Sequence, residues 1–138
     1  MVELLRLSPE RARSRILGYT AGHDAIWRTR MNSITWTRVS ELVAAGTWKI
    51  SEHALDELIA DDIFVSDIVA GVAKATLVED YPDYKKGPCT LVLHSDGDGS
   101  PVHALWGIPR GASSPAVLIT AYRPDPDRWT NGFLERAK

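Results

Sequence analysis

From Ile34 onward the apolar positions recur at helical spacing. Trp36, Val39, Leu42 and Val43 fall on one face, and Gly46 ends the run. "TWKIS" follows as a short strand or an extended entry. Ser51 then reads as an N-cap with Glu52 in the first turn behind it. Ala54, Leu55, Leu58 and Ile59 line one apolar face of that helix. "ADDIF" is a turn, and Ser66 caps a third helix with Ile68, Val69 and Val72 facing inward. Beyond it the period changes to the alternation of strands. "ATLVEDY", "CTLVLHS", "PVHALWGIP" and "AVLITAY" predict four strands. They are joined by the polar loop "PDYKKGP", the tight turn "DGDGS" and the loop "RGASSP". Asp-Gly supplies the positive φ angles that a tight reversal needs. Asp127 to Arg136 reads as a short closing helix. Helices first and a mainly antiparallel four-stranded sheet second predict an α+β fold. Residues 1–30 show a weaker pattern, with "LSPERARSRILGY" offering a short basic helix capped by Ser8 and opened by Pro9. They are expected to form a peripheral arm, residues 31–138 one domain, with Met31 an alternative start.

Composition narrows the class. The 138 residues suffice for one core, and 44% hydrophobic with 25% charged residues is the balance of a globular protein. No apolar run approaches the ~20 residues of a membrane helix. Arg6, Glu10, Arg11, Arg13 and Arg15 interrupt any signal-peptide core. Cys89 is the sole cysteine, so no internal disulfide forms and a cytoplasmic location is expected. Four scattered histidines give no structural zinc site, and no metal or cofactor is expected. "DGDGS" fails as a calcium loop, because its sixth and twelfth places hold Pro101 and Gly107. Charge is unevenly placed. Residues 1–46 carry seven Arg and four acids, and residues 47–138 carry nine Lys or Arg and fourteen acids. An acidic main domain argues against non-specific nucleic-acid binding, which needs phosphate neutralisation.

Several residues could carry chemistry. His53 sits in the first turn of its helix and suits a general base near neutral pH, or orders the seam between helix and sheet. Alternation groups His103 with Leu105, on the face opposite Val102, Ala104 and Trp106. Tyr122 and Arg123 are consecutive, so only one can enter a shared site, and Tyr122 is the choice if it points with His103. Lys85 and Lys86 are a cationic pair in an acidic domain, followed by Gly87, where backbone can approach a ligand closely. Cys89 and His94 face opposite ways on one strand, so a buried cysteine fits better than a hydrolase nucleophile. Glu52, Asp56, Glu57, Asp61 and Asp62 read as a solvated helix face.

"SEHALDELIADDIFVSDI" together with "LITAYRPDPDRW" resembles an uncharacterised toxin-like family. That family opens on a His-Ala-x-x-Arg helix and ends on a strand reading Thr-x-Tyr-x-Pro-Asp-x-x-x-Trp. It is similar to the RelE, BrnT and MqsR ribonuclease toxins. The resemblance covers roughly Trp48 to Arg136. It implies helices on a curved antiparallel sheet, RelE- or barnase-like, and the toxin half of a bacterial toxin–antitoxin pair. It further implies metal-independent RNA cleavage, with His53 or His103 as base or acid, Tyr122 as a donor, and Lys86, Arg123 and Arg136 as cationic stabilisers. The implied partner is an antitoxin with a zinc-finger or helix-turn-helix domain. The chain departs from the family at Glu57 and Asp61, where arginines are usual. Carboxylates there would repel phosphate, which favours a catalytically inactive protein-binding module on the same fold.

Overall fold

The computed structural model describes residues 33–138. The expected arm over residues 1–30 and the alternative start at Met31 lie outside the described residues. Helix α1 (Ile34–Ala44) opens with Ser33, whose hydroxyl accepts the Trp36 N–H, and presents Val39, Leu42 and Val43 to the core. Strand β1 (Trp48–Ile50) leads into α2 (Glu52–Ala60). Ser51 caps α2 by accepting from the Ala54 N–H and also donates to the Ile119 carbonyl. One side chain thus starts the helix and fixes it to the sheet. The third helix, α3 (Val65–Gly71), starts one residue before the expected Ser66 cap, with Phe64 at the cap position and no side-chain bond there. It tightens into a single turn over Val72–Lys74 before the sheet begins.

The sheet contains β2 (Thr76–Tyr81), β3 (Cys89–Ser95), β4 (Pro101–Gly107) and β5 (Ala116–Tyr122), the four expected strands. It has five strands rather than four, in the order β1-β5-β4-β3-β2. The added member is "TWKIS", which runs parallel to β5, whereas the other pairs are antiparallel. The expected closing helix over Asp127–Arg136 is instead a small ribbon of β6 (Trp129–Thr130) and β7 (Glu135–Arg136). Its turn holds Asn131, Gly132 and Phe133 at positive φ, a path that no helix can follow.

Two apolar clusters lie on opposite faces of the sheet. The helices cover Val92, Val102, Ala104, Trp106 and Leu118. The β6–β7 ribbon covers Leu91, Leu105, Ile119 and Tyr122 with Trp129, Phe133 and Leu134. Two bulges set which residues face which layer, one between Leu77 and Glu79, the other opposite Leu105 and Trp106. Among the described residues no helix is long and apolar enough to cross a membrane.

Candidate functional site

His103 and Tyr122 are brought together. They are direct cross-strand partners on β4 and β5, with ring planes at 82°. His103 Nδ1 lies 3.0 Å from the Tyr122 hydroxyl, and Nε2 lies 2.9 Å from the Phe133 carbonyl. A carbonyl only accepts, so Nε2 carries a proton, and with Nδ1 unprotonated that nitrogen accepts from the Tyr122 hydroxyl. The Trp129 ring meets the imidazole edge-on with centroids 4.4 Å apart. His103 is completely buried. Its two nitrogens tie β4 to β5 and to the ribbon, and neither reaches a surface where a substrate could lie.

The other candidates stand apart from this pair. His53 belongs to the helix-covered face, because its neighbours Ala54 and Leu58 pack in the cluster opposite to Tyr122. Its Nε2 lies 3.2 Å from Glu57 Oε1, close enough for an ion pair but not aligned as a hydrogen bond. Lys86 sits before β3, near the paired residues Cys89, Gly107 and Val117. The His103–Tyr122 pair is about 13 Å further along the sheet. The Lys86 carbonyl accepts the Arg110 N–H, and the Lys85 carbonyl accepts from the Arg110 guanidinium. Gly87 has φ +129°, and a Cβ there would strike the Ile108 carbonyl oxygen. Close approach at this glycine is therefore to the chain's own backbone. Arg136 is exposed on β7, opposite Trp129.

Arg123 is engaged on three sides. Its guanidinium meets Asp96 at 2.9 Å and donates to the Asp61 carbonyl at 3.2 Å and the Asp62 carbonyl at 3.4 Å. Its backbone N–H donates to the Asp61 carboxylate. The end of α2 and the β3–β4 turn are thereby clamped to the end of β5. The Asp96 carboxyl is held below the usual range by the Ser100 N–H first, then by Arg123 and the Asp98 N–H. Glu57 thus faces His53, and the Asp61 carboxylate faces the Arg123 backbone.

A family model described as a domain of unknown function, DUF4258, matches residues 50–123. The chain belongs to this family. No curated protein and no solved structure is significantly similar to it. The matched stretch of the DUF4258 domain contains His53, His103, Tyr122 and Arg123, and leaves α1, the β6–β7 ribbon and Arg136 outside.

Within the DUF4258 domain two buried titratable groups, His94 and Asp80, receive no role from the sequence. His94, at the end of β3, packs against α3 where a Cβ on Gly71 would strike its ring. Burial lowers its pKa, with the Ser95 backbone and Asp67 opposing. Asp80 lines up across the strands with Thr90 and Trp106, all buried on the helix-covered face. Burial pushes the Asp80 carboxyl up to about 6, against the Ser33 hydroxyl and Tyr81 backbone, which lower it. Burial likewise pushes the Cys89 thiol up to about 12, which leaves no thiolate for nucleophilic chemistry near neutral pH. Among the described residues no cluster of three or more His, Cys, Asp or Glu could hold a metal ion.

Proposed function

We propose that this DUF4258 domain works as a protein-binding module and not as a ribonuclease. On this reading it is a cytoplasmic member of a toxin–antitoxin-type pair that keeps a RelE- or barnase-like architecture and binds an antitoxin-type partner without cleaving RNA. The observation that carries the reading is the dispersal of the candidate groups. His53 lies on one face of the sheet and the buried His103–Tyr122 pair on the other. Lys86 lies towards the opposite end, and Arg123 is committed to Asp96 and the end of α2. RNA cleavage requires a base, an acid and cationic stabilisers around one phosphate. Purified full-length chain incubated with total RNA should leave it intact, and induction in a bacterial host should not arrest growth. RNA cleavage lost in His53→Ala would overturn the reading.

An endoribonuclease toxin is the second reading, and one observation favours it. His53 and Glu57 approach to 3.2 Å and both side chains keep about a quarter of their exposure. A carboxylate beside a reachable histidine can orient it as a base. That reading requires Glu57→Gln to impair cleavage together with His53→Ala.

A further inference from the structure

The sequence places Leu55 and Ile59 on the buried face of α2. They are instead 45% and 70% exposed, while Ala54 and Leu58 pack inward. They lie one turn apart, so they form a stripe along the outer side of the helix. Phe64, at the start of α3, is 67% exposed. Only four large apolar side chains are exposed among the described residues, and three of them fall within this stretch. Glu52 and Asp56 border the stripe at the same spacing and are exposed with it. From Ile50 to Ala73 the chain has six acids and no Lys or Arg. The Arg123 bonds reach only the far end of α2, at Asp61 and Asp62.

We propose that the Leu55–Ile59 stripe with Glu52 and Asp56 is the docking surface for an amphipathic helix of a partner protein that carries Lys or Arg beside its apolar side. The proposal rests on the protein-binding reading above and adds the place and the partner's chemistry. Charge selects the occupant. RNA and anionic lipid surfaces are repelled by this acidic border. A second copy meeting this surface with its own α2 would set Glu52 and Asp56 against its own acids. A helix with apolar residues one turn apart and cations on the flank satisfies both parts of the surface. The surface is also held in place beforehand, because Ser51 fixes the start of α2 to β5 and Arg123 fixes its end. A fixed surface loses little freedom on binding.

The test is selection by the full-length chain from a displayed library of amphipathic helices. The members share one apolar stripe and vary in flanking charge from acidic to basic. Cationic members should be enriched, and a selected peptide should bind more weakly as salt is raised. Leu55→Ser with Ile59→Ser should lower its affinity by about tenfold or more. Glu52→Lys with Asp56→Lys should turn the preference towards acidic members. All four positions are exposed, and unchanged thermal unfolding of both variants establishes that the fold is intact. No charge preference, or equal binding by parent and both variants, overturns the proposal. So does self-association that disappears in the Leu55→Ser, Ile59→Ser chain. The RNA assay on the same preparation separates the two readings. Cleavage with intact cationic selection sinks the non-catalytic function but leaves the surface. No cleavage with no selection sinks the surface but leaves the function.

Discussion

His103 shows what a buried polar residue does when every partner is present. Its ring joins the Tyr122 hydroxyl to the Phe133 carbonyl and fills the space against Trp129. His103→Ala strands both partners and opens a cavity, and should cost about 3–5 kcal/mol in urea unfolding. Tyr122→Phe removes one donor and should cost about 1–2 kcal/mol. Neither loss concerns catalysis on the binding-module reading. Two other buried groups make stability depend on pH in opposite directions. Asp80 has a folded pKa of about 6, above the ordinary value of 3.8, so its protonated form favours the fold. Its contribution is complete below about pH 4 and is lost as pH rises to about 6, on the order of 2 kcal/mol. His94 has a folded pKa below the ordinary 6.5, so its neutral form favours the fold. Its contribution is present above pH 6.5 and is lost as pH falls through the lowered value. Asp80→Asn should therefore leave a chain that weakens more steeply on acidification between pH 6.5 and 4. His94→Leu should instead gain stability relative to the parent at the acid end. Urea midpoints across that range check both signs.

At the scale of elements, caps and bulges decide where side chains go. Ser51→Ala removes both a helix cap and the bond to the Ile119 carbonyl, and should cost about 1–2 kcal/mol by thermal or urea unfolding. The bulge in β5 has a larger positional effect. Leu118 pairs with Trp106 and Thr120 with Leu105, so Ile119 is the extra residue. Strict alternation would put Tyr122 on the face of Leu118, and the extra residue turns it towards His103. The same device in β2 turns Asp80 inward. These are the limits of reading such a chain from its sequence. Helical periods, the Asp-Gly turn and four strands are legible because each repeats a local pattern. The grouping of His103 with Leu105 follows from alternation alone. A bulge leaves no composition signal, and the three-residue β1 reads only as a short strand or an extended entry until β5 is beside it. Leu55 and Ile59 match the helical period of a core face, yet α2 has sheet on one side only. The β6–β7 ribbon looks helical until the positive φ values of Asn131 and Phe133 exclude it.

At the scale of the molecule, the family match and the folding unit do not coincide. Residues 50–123 omit Val39, Leu42 and Val43 above one face of the sheet and Trp129, Phe133 and Leu134 below the other. A fragment cut to that range should lack a cooperative melt and near-ultraviolet circular dichroism, whereas residues 33–138 should keep both. The long clamps cross the same boundary, since the Phe133 carbonyl holds His103 from outside the matched stretch. The outer strands have a consequence of their own. A sheet polymerises with its neighbours when a rim presents an even row of free N–H and C=O groups. Here one rim is β1, only three residues long, and the other is β2, broken by its bulge after Leu77. Neither rim offers a straight template for a strand from another molecule. An acidic helix can therefore present bare leucine and isoleucine to solvent without sheet-edge pairing driving the chain into fibrils.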